Sequence, residues 1–84
     1  MQLKIGLILF EQKNYKDAIV ELWKIKVYKP EKFERYKTYI EQSYYYIIKS
    51  YLYLNEKEKA KNIFDSLVKE FPDSKYINEL KAEF

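Results

Sequence analysis

Apolar residues recur at intervals of three and four along almost the whole of this 84-residue chain, the spacing that lays one buried stripe along an α-helix. A first helix is predicted from about Gln2 to Gln12. A second begins near Asn14, whose side chain can cap while Asp17 stands three residues on in the capping-box position. Its apolar positions are Ala18, Ile19, Leu22, Trp23 and Ile25, and Lys29-Pro30 closes it, because proline cannot continue the ladder. A longer helix is predicted from Glu31 or Lys32 to Leu54, with Phe33, Tyr36, Ile40, Tyr44, Ile47, Tyr51 and Leu54 on one stripe. The run Tyr44-Tyr45-Tyr46-Ile47-Ile48 also has strand-forming side chains. The helical stripe passes through it unbroken, and helix is the expectation. Asn55 with Glu58 repeats the capping pattern ahead of a fourth helix carrying Ala60, Ile63, Phe64, Leu67 and Val68, which ends at Phe71-Pro72. Asp73-Ser74 then caps a short last helix holding Tyr76, Ile77, Leu80 and Phe84.

The two halves of the chain repeat one another. Ala18 is followed by Leu22, Ile25 and Pro30, and Ala60 by Phe64, Leu67 and Pro72 at the same offsets. Ahead of each alanine, Gln2-x-x-Ile5-Gly6-x-x-Leu9 aligns with Tyr44-x-x-Ile47-Ile48-x-x-Tyr51. This resembles the tetratricopeptide repeat, whose signature runs W-x2-L-G-x2-Y, then A-x3-F, then P. The small alanine lets the second helix of a hairpin approach the first, large residues fill the space between, and proline ends the hairpin so that the next can stack. Two departures stand out. Ile48 replaces the glycine in the second unit, which predicts looser or rotated packing there. The units also lie about 42 residues apart rather than about 34, the excess falling in Glu31–Gln42 at the front of the third helix. The fold implied is all-α: a right-handed stack of antiparallel helical hairpins with an elongated third helix. It divides into a first unit (2–30), an extended helix start (31–41), a second unit (42–72) and a capping helix (73–84) within one domain. Phe71-Pro72-Asp73-Ser74 after an A-x3-F helix further resembles bacterial envelope members of the family, such as outer-membrane assembly lipoproteins and TolA-binding coordinators.

Composition narrows the function. Cysteine and histidine are both absent, which removes disulfides, thiolate nucleophiles, Cys/His zinc sites and imidazole acid–base chemistry together. Thr38, Ser43, Ser50, Ser66 and Ser74 stand in no nucleophile or phosphate-loop motif. Glu56, Glu58, Asp65 and Glu70 lack the spacing of a calcium loop and read as solvated helix residues. No enzyme, metal or cofactor is expected. With 16 basic against 13 acidic residues the net charge is +3, and the signs are interspersed. Trp23-Lys24-Ile25-Lys26-Val27-Tyr28-Lys29 alternates lysines with apolar and aromatic groups, yet reads as a helix with a wet lysine face rather than a nucleic-acid site. The apolar start, Leu3 to Phe10, is interrupted by Lys4 and too short to span a bilayer. No nucleic-acid partner and no membrane insertion are expected. The compartment follows the parent protein, cytoplasmic for a complete chain and periplasmic or envelope-associated for a fragment of an exported one.

The resemblance implies an interaction module. Tyr44 and Tyr51 hold core positions of the repeat. Tyr45, Tyr46, Lys49 and Tyr53 fall on the face that lines the concave groove in this family, with Leu3, Lys4 and Leu7 at the matching positions of the first unit. An aromatic cluster flanked by lysine suits a peptide bearing apolar and acidic groups, and these seven residues are the expected partner-binding set. A competing reading packs the same tyrosines against the extended helix or the final helix, and the alternative function is a self-assembling structural unit in which the same surfaces bind copies of the chain. A homo-oligomer is expected in either case, because the first helix carries more apolar faces than one small domain buries.

Overall fold

In the computed structural model the described residues are 2–27 and 33–84. They form five helices: α1 (Gln2–Glu11), α2 (Tyr15–Val27), α3 (Phe33–Tyr53), α4 (Lys57–Glu70) and α5 (Lys75–Lys81). No strand occurs among the described residues, and Tyr44–Ile48 is helical throughout. At 21 residues α3 is the longest. The closing role assigned to Lys29-Pro30 lies outside the described residues, as do the side chains of Ile25, Phe33 and Tyr36.

The two hairpin turns are built alike, 42 positions apart. Lys13 and Asn55 adopt left-handed backbone, with φ of 64° and 63°. At the end of α1, Asn14 N–H bonds Leu9 C=O at 2.9 Å and Lys13 N–H bonds Phe10 C=O at 3.0 Å; at the end of α3, Glu56 N–H bonds Tyr51 C=O at 2.9 Å and Asn55 N–H bonds Leu52 C=O at 3.0 Å. These paired bonds are those of a Schellman motif, which satisfies the last carbonyls of a helix by one left-handed residue. The finding corrects the capping expectation. Asn55 terminates α3 rather than starting α4, whose N-cap is Glu56, with no side-chain cap bond. Asn14 stands just ahead of α2, but its amide donates to the Asp17 carboxylate at 2.9 Å. Ser74 behaves as expected: it is the N-cap of α5 and its side chain accepts from Tyr76 N–H.

Neighbouring helices pack in chain order, and α1 also touches α3. Two apolar clusters result. One joins Ile40, Tyr44 and Ile48 of α3 to Ala60, Phe64 and Leu67 of α4, with Phe71 and Leu80. The other joins Ala18, Ile19 and Leu22 of α2 to Ile47 of α3, with Leu7, Leu9 and Phe10 of α1 against it. Gly6 marks the tightest approach in the first hairpin. A Cβ there would lie 2.7 Å from both Cγ and Cδ2 of Leu22, and Leu22 is wholly buried. In the second hairpin Ile48, at the position of Gly6, is itself wholly buried alongside Ala60.

Candidate partner-binding face

The odd-numbered helices bring their aromatic side chains together. On α3, Tyr45 and Tyr46 stand next to one another, edge to face at 5.0 Å. Tyr45 stacks on Tyr76 of α5 at 4.5 Å, and its hydroxyl donates to Glu79 Oε1 at 3.0 Å. Tyr46 meets Phe10 of α1 edge-on at 5.1 Å. Phe10 in turn contacts Tyr15 at 5.5 Å and Tyr53 at 5.9 Å, and Tyr15 and Tyr53 stack nearly parallel at 4.9 Å. The Lys49 ammonium lies 5.8 Å over the Tyr53 ring, within reach of a cation–π contact. The rings therefore form one continuous row from α5 across α3 to α1.

Four predicted residues, Tyr45, Tyr46, Lys49 and Tyr53, lie on this row, but they do not stand equally free. Tyr53 is 59% exposed. Tyr45, Tyr46 and Lys49 are half-buried, so the packing against neighbouring helices and the exposed face are both real and divide the set between them. Of the first-unit positions, Lys4 is exposed, Leu7 is half-buried against the second cluster, and the side chain of Leu3 lies outside the described residues. The sequence reading missed Phe10, Tyr15, Tyr76 and Glu79. Their signal was positional: each lies at the end of α1, the start of α2 or on α5, beside the α3 face already singled out.

Burial sets the electrostatics. It raises the Tyr45 hydroxyl from the ordinary 10.0 to about 12, helped by the bond to Glu79 and that carboxylate's charge. Tyr46 is raised mainly by burial, then by the charges of Tyr76, Glu11 and Glu79. Tyr44, wholly buried behind the row, donates its hydroxyl to Glu70; burial first, then this partner, drives its pKa far upward. Glu70 is thus more than the solvated helix residue expected. The row is amphipathic, flanked by the Lys49 ammonium, and fixed in place by its own contacts.

The two buried serines of α3 point into their own helix: Ser43 donates to Ile40 C=O and Ser50 to Tyr46 C=O, both at 2.7 Å. Among the described residues no group of three or more acidic side chains is placed to hold a metal ion, and no helix is long and apolar enough to cross a membrane.

Stacked antiparallel hairpins carrying a side-chain row across alternate helices define a helical-repeat scaffold. Residues 42–74 match the family model described as Tetratricopeptide repeat, so the stretch from the middle of α3 to the start of α5 is similar to one such repeat. Repeats of this class are generally protein–protein interaction modules built on a non-catalytic scaffold. No curated protein and no solved structure matches the chain.

Proposed function

We propose that the chain, as a single domain of two hairpin units and a capping helix, binds a peptide or an extended segment of a partner protein along the aromatic row. The observation that carries this reading is Tyr53, which keeps more than half of its surface open while Tyr15 and Lys49 hold it in place. Tyrosine offers wide contact area with little conformational entropy left to lose, and here that entropy is already spent on intramolecular stacking. Lys49 supplies a cation for a carboxylate beside an apolar side chain. The bacterial-envelope subtype rests on Phe71-Pro72-Asp73-Ser74, which forms the α4–α5 junction: Phe71 is buried and Ser74 caps α5.

The test is selection of binders from a displayed library of random peptides, followed by affinity measurements on single variants. Selected peptides should carry an aromatic or aliphatic residue near an acidic one. Tyr53→Ala should weaken binding by about 1–2 kcal/mol, as a moderate interface contact does, and Lys49→Glu should select against acidic peptides. Helicity by circular dichroism should stay unchanged for Tyr53→Ala, since the side chain is largely exposed. Peptides whose affinity ignores both substitutions would place the site elsewhere.

A further inference from the structure

The 42-residue correspondence between the hairpins exposes a second surface, which borders the aromatic row along α1. Ile47 and Ser50 of α3 are both wholly buried, and Ile47 belongs to the cluster that α2 supplies with Ile19 and Leu22. Their counterparts 42 positions earlier are Ile5 and Ile8 of α1, and each of these is 46% exposed. In the second hairpin this face of the helix is covered by a preceding helix; in the first it is open. Where α3 carries a serine at the later position, α1 carries an isoleucine, so the open face is the more apolar of the two.

Charges on the same side of α1 state what fits. Lys4 and Glu11 are exposed and seven residues apart, which places them in one row two turns apart beside Ile8. No ion pair engages either of them among the described residues. Two such helices packed antiparallel about a two-fold axis near Ile8 would bring Lys4 of each copy to Glu11 of the other. A parallel pairing would set like charges side by side. We propose that a second copy of this chain docks here, α1 against α1 in antiparallel register, with Ile5 and Ile8 at the centre and two symmetric Lys4–Glu11 pairs on the flank. The pairing is isologous, so it closes at a dimer. It does not depend on peptide binding by the aromatic row.

Sedimentation or light-scattering mass measurements on the full chain at high micromolar concentration test this. The wild type should be a dimer, and Ile8→Lys a monomer of unchanged helicity. Lys4→Glu alone and Glu11→Lys alone should each weaken the dimer by roughly tenfold or more, because each sets two like-charge pairs at the interface. The double variant Lys4→Glu/Glu11→Lys should regain it, and an equimolar mixture of the two single variants should form a heterodimer. The charge variants alter exposed side chains only, so they decide the matter even if Ile8→Lys fails to fold. A monomeric wild type overturns the proposal, as does a dimer that ignores these substitutions. Charge variants that weaken association without rescuing one another would overturn the antiparallel register, and the proposal with it.

Discussion

Single residues hold strain and charge that no stripe of apolar positions reveals. Lys13 closes α1 at φ 64°, where an L-residue with a Cβ bears about 1–2 kcal/mol of steric cost. Glycine bears none of it, though it loses more backbone entropy on folding. Lys13→Gly should therefore stabilise the chain by about 1 kcal/mol, read as a higher denaturation midpoint at unchanged slope. Asn55→Gly should gain less, because asparagine tolerates the left-handed region. The tyrosines set the alkaline limit. Tyr45 keeps its proton to about pH 12 in the folded state, against 10.0 ordinarily, so the folded state binds that proton more tightly than the unfolded one. Its contribution is complete below pH 10 and lost as the pH rises through about 12. Tyr44 and Tyr46 shift in the same direction. Helicity should fall in this range together with the appearance of tyrosinate absorbance, and Tyr45→Phe should make the loss shallower. A loss of helicity already complete by pH 9 would contradict this origin.

Helices were more legible in the sequence than the turns between them. The spacing of three and four located all five, and α3 remained a helix through its tyrosine run because Ile40, Tyr44 and Ile47 share one buried stripe. The α3–α4 turn was misread because asparagine serves both ends of a helix: Asn55 can cap a start or take left-handed backbone at an end. Only the path of the chain decides which. The same limit applies to the aromatic row. Helical register put Tyr45, Tyr46, Lys49 and Tyr53 on one face of α3, but how far Phe10 and Tyr76 would bury them depends on how the helices dock. At this scale α5 is the testable element. It is held by the Ser74 cap and by Leu80, Ile77 and Tyr76 packed on the first cluster. Ser74→Ala should cost about 1 kcal/mol and raise amide exchange across 75–81 more than in α3. Tyr45, stacked on Tyr76, should then titrate closer to its ordinary value. Equal loss of protection in both helices would mean that α5 does not open separately.

Across the whole molecule, α3 is shared property. The cluster on α4 and α5 takes Ile40, Tyr44 and Ile48 from it, whereas the cluster on α1 and α2 takes Ile47. Tyr51 and Ile63 pack against both clusters, which makes them the seam. In stacked repeats each unit's stability is its own plus that of its nearest interface, so damage should spread according to what the damaged cluster supports. Leu22 is wholly buried in the cluster that joins α2 to α3, and Leu67 is wholly buried on α4. Either leucine truncated to alanine should cost about 2–5 kcal/mol at its own site. The consequences should differ in reach. With Leu22→Ala, α1 and α2 lose their hold on α3, while the contacts of α3 with α4 and α5 remain. Amide protection should fall across 2–27 and persist through much of 40–81. With Leu67→Ala, α3 loses the partner that orders Tyr44 and Ile48, and with it the surface on which α2 rests. Protection should then fall at both ends of the chain. Hydrogen exchange on the two variants separates the cases, and uniform loss in Leu22→Ala would show that the two clusters melt as one unit.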